Sequence, residues 1–255
     1  MWVRYMVFQR ELNEVEKARQ IARRALATIN PREEKEKLDV WTALLHLEND
    51  FASDDTIEAV LKEACQNNDS REMHERTIKI YISSGKLDKA DSLYQSMMKN
   101  KSFTQDPKFW LSYAAFLMDV LQPPSASRAR ALLQRATQSV ASNQHRYLTQ
   151  KFAALEFKSP NGDAERGRTI FEGLIDTFAK KGDVWDMYLM LEQSHGDEDK
   201  VRDLFERMTK VGKSSRVRSV FKKWAEWENG VGNKKGVERV KTLEEQWREK
   251  KADEE

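Results

Sequence analysis

A chain of 255 residues with 44 Lys and Arg against 42 Asp and Glu carries a formal net charge of only +2, which excludes the bulk positive charge typical of many nucleic-acid-binding domains. Hydrophobic residues make up 39% of the chain and charged residues 34%, so we expect a molecule with much surface for its volume instead of one compact globule. The single cysteine, Cys65, excludes an internal disulfide and fits a reducing compartment.

The N-terminal segment, MWVRYMVFQRELNEVEKAR, lacks the plan of a signal peptide and reaches a repeat tryptophan at its second residue. We therefore expect the chain to be a fragment of a longer protein. No apolar run approaches the roughly 20 residues that a membrane-spanning helix needs, so we expect no membrane partner.

A helical frame recurs seven times along the chain, at intervals of 33 to 39 residues. Its clearest copy, DVWDMYLMLE, has Trp185, an aromatic residue three positions on at Tyr188, and Glu192 seven positions from the tryptophan. These positions share one face of a helix. In chain order the copies are Trp2, Tyr5, Gln9; Trp41, Leu44, Glu48; His74, Thr77, Tyr81; Trp110, Tyr113, Leu117; Thr149, Phe152, Glu156; Trp185, Tyr188, Glu192; and Phe221, Trp224, Glu228.

A second pattern follows each frame and is clearest in KARQIARRAL, where Ala18, Ile21, Ala22 and Ala25 form one helical stripe. Matching stripes begin at Ala129, Gly167 and Val201. No stretch alternates as a strand would. We therefore predict seven helix pairs over residues 1–248, each unable to bury its apolar face alone, and a charged tail at 249–255 that we expect to be disordered.

The Trp-x-x-Tyr-x-x-x-Glu first helix and the Ala-Arg-x-x-x-x-x-Ala second helix resemble the half-a-TPR, or HAT, repeat. The resemblance runs from Trp2 to about Trp247. It implies an all-α fold, an α-solenoid of about seven HAT/TPR-like helix pairs stacked into a superhelix. It also implies a non-enzymatic scaffold in an RNA-processing assembly.

Longer segments, among them WVRYMVFQRE, GDAERGRTIFEGLI and DKVRDLFERM, resemble the C-terminal repeat module of a large nucleolar factor. This resemblance implies a place in the nucleus and nucleolus, a role in ribosomal RNA processing and small-subunit assembly, and pre-ribosomal assembly proteins as partners. Pre-rRNA would be an auxiliary contact. The alternative is a HAT scaffold of a messenger-RNA processing or splicing complex.

The signature side chains are expected to serve the structure. The aromatic residues should form the core, and Glu192 should need a buried partner, for which Arg202 or Arg207 on the following helix is the natural candidate. The structural signature comprises Trp2, Tyr5, Trp41, Trp110, Tyr113, Trp185, Tyr188, Glu192, Trp224 and Glu228.

The stretch KVGKSSRVRSVFKKW contains Gly-Lys-Ser, which is also found at the end of phosphate-binding loops. Such a loop needs a glycine five residues before its Gly-Lys, and here Arg207 stands five before Gly212. We interpret the stretch as a bend in which Gly212 ends one helix and Ser214 or Ser215 caps the next. The four histidines lie in four repeats, so we predict no metal site, no cofactor, no catalytic residue and no small-molecule substrate.

Charge is unevenly distributed. Nine carboxylates against two cations lie between Glu48 and Glu75, a segment that we expect to receive a basic partner, whereas Arg207 to Lys223 contains seven cations and no carboxylate. These cations form either a phosphate-binding ridge or an ordinary solvated face. Candidate RNA contacts are Lys210, Lys213, Arg216, Arg218, Lys222 and Lys223. The sequence permits a homodimer but does not indicate one.

Overall fold

Helices account for the regular secondary structure in the part of the chain that the computed structural model describes, which is residues 1–30, 32–195 and 198–252. The predicted all-α class is thereby confirmed. The helices are α1 Trp2–Glu11, α2 Val15–Thr28, α3 Glu34–Phe51, α4 Asp54–Asn67, α5 Ser70–Ser83, α6 Leu87–Met97, α7 Lys101–Thr104, α8 Pro107–Ala115, a π-helical continuation Phe116–Val120, α9 Ala126–Ser139, α10 Ser142–Lys158, α11 Ala164–Phe178, α12 Gly182–His195, α13 Glu198–Thr209, α14 Ser214–Gly230 and α15 Lys234–Ala252.

These helices form the seven expected pairs, with α7 as an extra turn ahead of the fourth pair. We call the first helix of a pair A and the second B. The A helices are α1, α3, α5, α8, α10, α12 and α14, and the B helices are α2, α4, α6, α9, α11, α13 and α15. The last of these, α15, extends to Ala252, so residues 249–252 of the expected tail are helical, while 253–255 lie outside the described residues.

The chain divides into two compact units, Met1–Ala129 with Gln138–Val140, and Arg130–Thr137 with Ala141–Glu255. In the first unit, α1, α2 and α3 contact one another, as do α3, α4 and α5, and α5 contacts α6. In the second unit, α10, α11 and α12 contact one another, and α12 to α15 contact in sequence. In each unit a B helix therefore packs against its own A helix and against the next, which is the solenoid arrangement of HAT repeats.

Short polar side chains start several of the helices. Asp69 accepts hydrogen bonds from the backbone N–H groups of residues 71 and 72, Asp163 from those of 165 and 166, and Asp106 from that of 108, with Pro107 in the first turn of α8. These caps satisfy donors that the first turn of a helix leaves unpaired. They fix where the turns between helices end.

The signature tryptophans lie at equivalent places in the core. Trp110 and Trp185 retain 1% and 3% exposure, and each indole Nε1 donates to the carbonyl oxygen six residues earlier, that of Thr104 or Ala179, at 2.8 Å. Trp41 and Trp224 are also buried. Trp110 and Trp185 thus fasten their A helices to the turns that precede them, whereas Trp224, at the second position of its frame, donates to Glu228 on its own helix.

The signature glutamates join neighbouring repeats through one recurring contact. In every case Nε and Nη2 of an arginine on the preceding B helix donate to the two carboxylate oxygens, at 2.6 to 3.2 Å. The glutamates are 0 to 5% exposed. The pairs are Arg19 with Glu48, Arg130 with Glu156, Arg168 with Glu192, and Arg202 with Glu228.

The expected partner of Glu192 was wrong. Arg168 on the preceding B helix holds this carboxylate, while Arg202 on the following helix holds Glu228 and Arg207 holds Glu172 of α11. The glutamate faces backward along the stack because the A-helix signature face packs on the B helix that comes before it.

Where the glutamate is missing, its arginine is missing too. The fourth frame has Leu117 in the glutamate place, and α6 carries Asp91 where other B helices carry the arginine. Asp91 accepts hydrogen bonds from the Tyr113 hydroxyl and from Arg128, both at 2.8 Å. Burial, with this carboxylate beside it, raises the pKa of Tyr113 to about 12.

The first frame departs from the expected core role. Tyr5 is 49% exposed and Trp2 is only partly buried, under the guanidinium of Arg24, which lies 5.7 Å from the indole centroid. In later repeats a B helix covers the position of Tyr5, and no such helix contacts α1 from that side among the described residues.

Candidate functional site

The Gly-Lys-Ser stretch is a bend between two helices of the second unit. α13 ends at Thr209 and α14 begins at Ser214, with Gly212 between them at φ +112°, a conformation that favours glycine. The predicted serine cap was wrong. Lys213 occupies the cap position with an extended backbone and no capping side-chain bond, so Ser214 is already helical. A helix precedes the glycine, so the strand that a phosphate-binding loop requires is absent from this described segment.

Half of the candidate cations are engaged by carboxylates. Lys210 pairs with Glu206 at 3.0 Å, and Lys222 with Glu226 at 3.9 Å. Lys223 on α14 reaches across to α12 and pairs with Asp186 at 3.0 Å. These three lysines are exposed, so their pairs contribute little to stability and compete weakly with a phosphate.

The other three cations differ in accessibility. Lys213 and Arg218 are exposed and form no ion pair with any described residue. Arg216 is partly buried and donates through Nη2 to the carbonyl oxygen of Gly182 at 3.2 Å. A Cβ atom at Gly182 would overlap this guanidinium, so the contact depends on the glycine. Arg216 therefore has a structural role at the bend.

The Arg216 contact brings in two cations that sequence reasoning missed. It holds the turn between α11 and α12 against the start of α14, and Lys180 and Lys181 in that turn are both exposed. We call Lys180, Lys181, Lys213 and Arg218 the cationic edge. The 34-residue separation of Gly182 and Arg216, close to one repeat, is the sequence signal that places the two turns together.

The acidic segment is less available than its charge suggests. Glu48 is buried against Arg19, Asp50 pairs with Arg10 at 2.8 Å, and Asp69 caps α5. Glu72 pairs with Arg76 within α5. The exposed carboxylates of the segment include those of Asp55, Glu58, Glu63 and Glu75, which can meet a basic partner.

One pair of side chains resembles a nucleophile and a base. Cys65 Sγ lies 3.5 Å from His74 Nδ1, but Nδ1 is 2.6 Å from the Ser70 carbonyl oxygen, to which it must donate. The nitrogen facing the thiol therefore carries a proton, and burial raises the pKa of Cys65. The pair is not arranged to form a thiolate. Among the described residues, no group of three His, Cys, Asp or Glu side chains could hold a metal ion.

Comparisons with known proteins agree with this structure. The model of the Suppressor of forked protein (Suf) family matches residues 1–255. The chain is 43% identical over 242 residues to the rRNA biogenesis protein rrp5 of Schizosaccharomyces pombe, 38% over 242 residues to the Protein RRP5 homolog of Mus musculus, and 34% over 244 residues to the rRNA biogenesis protein RRP5 of Arabidopsis thaliana.

Each of these alignments covers 94% of this chain but only 12 to 14% of the relative. The chain thus spans about one seventh or less of the length of these relatives. The predicted resemblance to a repeat module of a ribosomal RNA processing factor is confirmed. None of the helices in the described residues is long and apolar enough to cross a membrane.

Proposed function

Because the chain belongs to the Suppressor of forked protein (Suf) family, we propose that it is a non-enzymatic scaffold module of a ribosome-biogenesis factor. In this role it supports pre-rRNA processing and small-subunit assembly in the nucleolus by binding pre-ribosomal assembly proteins. The observation that carries the proposal is the similarity to rRNA biogenesis proteins over nearly the whole chain.

The use of the side chains favours binding over chemistry. The aromatic side chains of Trp110, Tyr113, Trp185 and Trp224 are buried in the core. The buried carboxylates are bound by arginines. Helix faces and turns remain for partners, which is how stacked repeats present an extended binding surface. Neither a small-molecule substrate nor a cofactor enters this proposal.

RNA contact in this proposal is auxiliary and uses the cationic edge. Its four side chains are exposed and belong to one unit, with Lys180 and Lys181 in the turn before α12, Lys213 in the bend before α14 and Arg218 on α14. Lys210 shares that bend, and Lys222 and Lys223 share α14. Cations that displace counterions from phosphates give affinity without reading a base sequence. Bases would find few aromatic rings to stack on at this edge, since Trp185, Tyr188 and Trp224 of the same repeats are in the core.

Crosslinking in cells tests the proposal. The full-length protein containing this chain is crosslinked, cleaved on both sides of the module, and the RNA and peptides attached to the module are identified. We expect small-subunit assembly proteins together with pre-rRNA. Recovery of splicing or polyadenylation proteins with messenger RNA would instead favour the alternative, a scaffold of a messenger-RNA processing complex.

A further inference from the structure

The first helix carries an apolar stripe that nothing covers among the described residues. Tyr5, Phe8 and Leu12 are 49%, 53% and 56% exposed, and together with Met1 they have the spacing of one helical face. Nine large hydrophobic side chains are exposed in the described residues, and five of them lie between Met1 and Leu12. We call Tyr5 and Phe8, together with Leu12 at the C-terminal cap of the helix, the open face of α1.

The same positions are covered in later repeats. In three later repeats the residue equivalent to Tyr5, three after the first residue of the frame, stacks on an aromatic ring from the preceding B helix. Three such stacks have centroid distances of 4.6 to 5.6 Å and interplanar angles of 5 to 14°. They are Tyr94 on Tyr113, Phe171 on Tyr188, and Phe205 on Trp224.

The position of Phe8 belongs to the same contact. In the fourth repeat its equivalent is Phe116, which lies 5.3 Å from the Tyr94 ring. In the seventh repeat it is Trp227, 6.0 Å from the Phe205 ring. One aromatic side chain of a B helix therefore contacts both the third and the sixth residue after the first position of the frame. In the first repeat these two residues are Tyr5 and Phe8, and no aromatic side chain of a described B helix contacts them.

The polar part of the contact also has a counterpart on α1. Three residues before their aromatic side chains, α11 and α13 carry Arg168 and Arg202, which hold the next signature glutamate. Gln9 stands at that place in the first repeat and is 9% exposed. Its amide oxygen can accept a hydrogen bond from such an arginine, with no ion pair.

A second copy of the chain fits this face poorly. In the described residues, α15 exposes no large hydrophobic side chain, and its exposed residues are mainly Lys, Arg and Glu. A head-to-tail contact would place this charged surface of α15 against the apolar open face of α1, which is a poor chemical match. A contact between two α1 helices would bury a few half-exposed side chains, far less than the roughly 800 Å² per partner of a standard interface.

We propose that the open face of α1 is a docking site for an amphipathic helix of the B type, supplied by a segment outside these 255 residues. This helix presents an aromatic side chain to Tyr5 and Phe8, and a hydrogen-bond donor three residues earlier to Gln9. The site continues the interface that already joins the repeats. It adds a surface to the proposed scaffold, and its test does not depend on which assembly contains that scaffold.

A fusion tests the docking site. Residues 163–183, which comprise the α11 helix with its cap and the following turn, are placed directly before Met1. The fused Phe171 then precedes Tyr5 by 17 residues, as Phe171 precedes Tyr188 in the chain itself. We expect hydrogen exchange of the α1 amides to slow by about tenfold or more, since an aromatic stack and its burial add to the opening free energy.

Two control fusions make the result specific. Phe171→Ala in the fused copy, or Phe8→Glu in α1, should remove the protection, whereas Met190→Glu, at an equally exposed apolar position on α12, should leave it. Unchanged exchange in the parent fusion, or protection that survives both Phe171→Ala and Phe8→Glu, would overturn the proposal. So would a dimer of the unfused chain, detected by sedimentation, that Phe8→Glu disperses.

Discussion

Arg202 holds the carboxylate of Glu228 side-on, with guanidinium Nε and Nη2 at 2.8 and 3.2 Å from the two carboxylate oxygens. Trp224 and Asn233 donate to the same carboxylate at 3.2 and 2.8 Å. Burial opposes the charged form, but these hydrogen bonds outweigh it and hold the pKa of Glu228 below its ordinary value of 4.5.

The pKa of Glu228 makes this contact pH-dependent. Because it is lower in the folded protein, protonation favours the unfolded chain, so the stabilisation is present above pH 4.5 and is lost as pH falls through the folded pKa. Glu228→Gln should cost about 1 to 3 kcal/mol at pH 7. In urea titrations at several pH values, the difference from wild type should narrow below pH 4.5. Glu226→Gln, at an exposed position on α14, is the control. A difference in unfolding free energy between wild type and Glu228→Gln that stays constant with pH would contradict the prediction.

The backward direction of the signature contact predicts which double mutants couple. Arg168→Ala and Glu192→Gln should show an interaction energy of about 1 to 3 kcal/mol, since they share one buried hydrogen-bonded pair. Arg207→Ala and Glu192→Gln should be additive within about 0.5 kcal/mol, because Arg207 bonds to Glu172. Unfolding free energies of the single and double variants give both values. A larger interaction energy for Arg207 with Glu192 than for Arg168 with Glu192 would contradict the structure and support the sequence-based prediction that Arg202 or Arg207 is the partner of Glu192.

Trp185 is central to the core of the second unit, where it retains 3% exposure and lies under the guanidinium of Arg207. Trp185→Ala should cost about 3 to 5 kcal/mol, because it leaves a cavity and frees the carbonyl of Ala179. Hydrogen exchange should quicken in α11 and α13 as well as in α12, since these helices share interfaces. Met190→Ala, at a position 49% exposed on the same helix, should change neither quantity by much. Loosening confined to α12 would contradict the stacking.

The cationic edge predicts a change in the salt dependence of RNA binding. Replacing Lys180, Lys181, Lys213 and Arg218 by glutamate should leave helicity intact, since all four are exposed, and should weaken binding to all RNA sequences alike. The slope of log K against log salt should flatten by about 0.7 for each lost contact to single-stranded RNA.

A charge-matched variant controls for net charge in this RNA experiment. Lys35, Lys99, Lys101 and Lys108 are exposed residues of the first unit, and their replacement by glutamate makes the same change in total charge. This variant should retain the wild-type slope. Equal losses in the two variants would mean that the cationic edge is an ordinary solvated face.

Much of the fold was predictable because the type and spacing of the motif residues indicate which face of each helix is buried. The spacing of Trp185, Tyr188 and Glu192 on one helical face was enough to predict a buried A-helix face and, with the B-helix stripe, the seven pairs. The partner of Glu192 could not be predicted from the arginines on the following helix, because the A helix packs on the preceding B helix. That packing brings Arg168, 24 residues earlier in the chain, to the carboxylate. Tyr5 has the same motif but lacks the covering helix, so its exposure depends on a neighbour that the motif does not encode.

The candidate interface was less predictable for the same reason. The cluster of cations between Lys210 and Lys223 was visible as a run of charge, but the sequence alone did not show that Glu206, Glu226 and Asp186 take three of them. Nor did it show that Arg216 is bonded to Gly182, which brings Lys180 and Lys181 to the bend. Both facts depend on contacts between repeats.

Complementation in cells depleted of the full-length protein tests the proposed scaffold role most directly. The cells receive the wild-type protein or a Trp185→Ala, Trp224→Ala variant that disrupts the packing of this module alone, with small-subunit pre-rRNA intermediates measured at matched protein levels. If the module supports pre-rRNA processing, the wild type restores normal intermediates and the variant accumulates unprocessed precursor. Normal processing with the variant, accompanied by defects in messenger-RNA processing, would contradict the role in ribosome biogenesis.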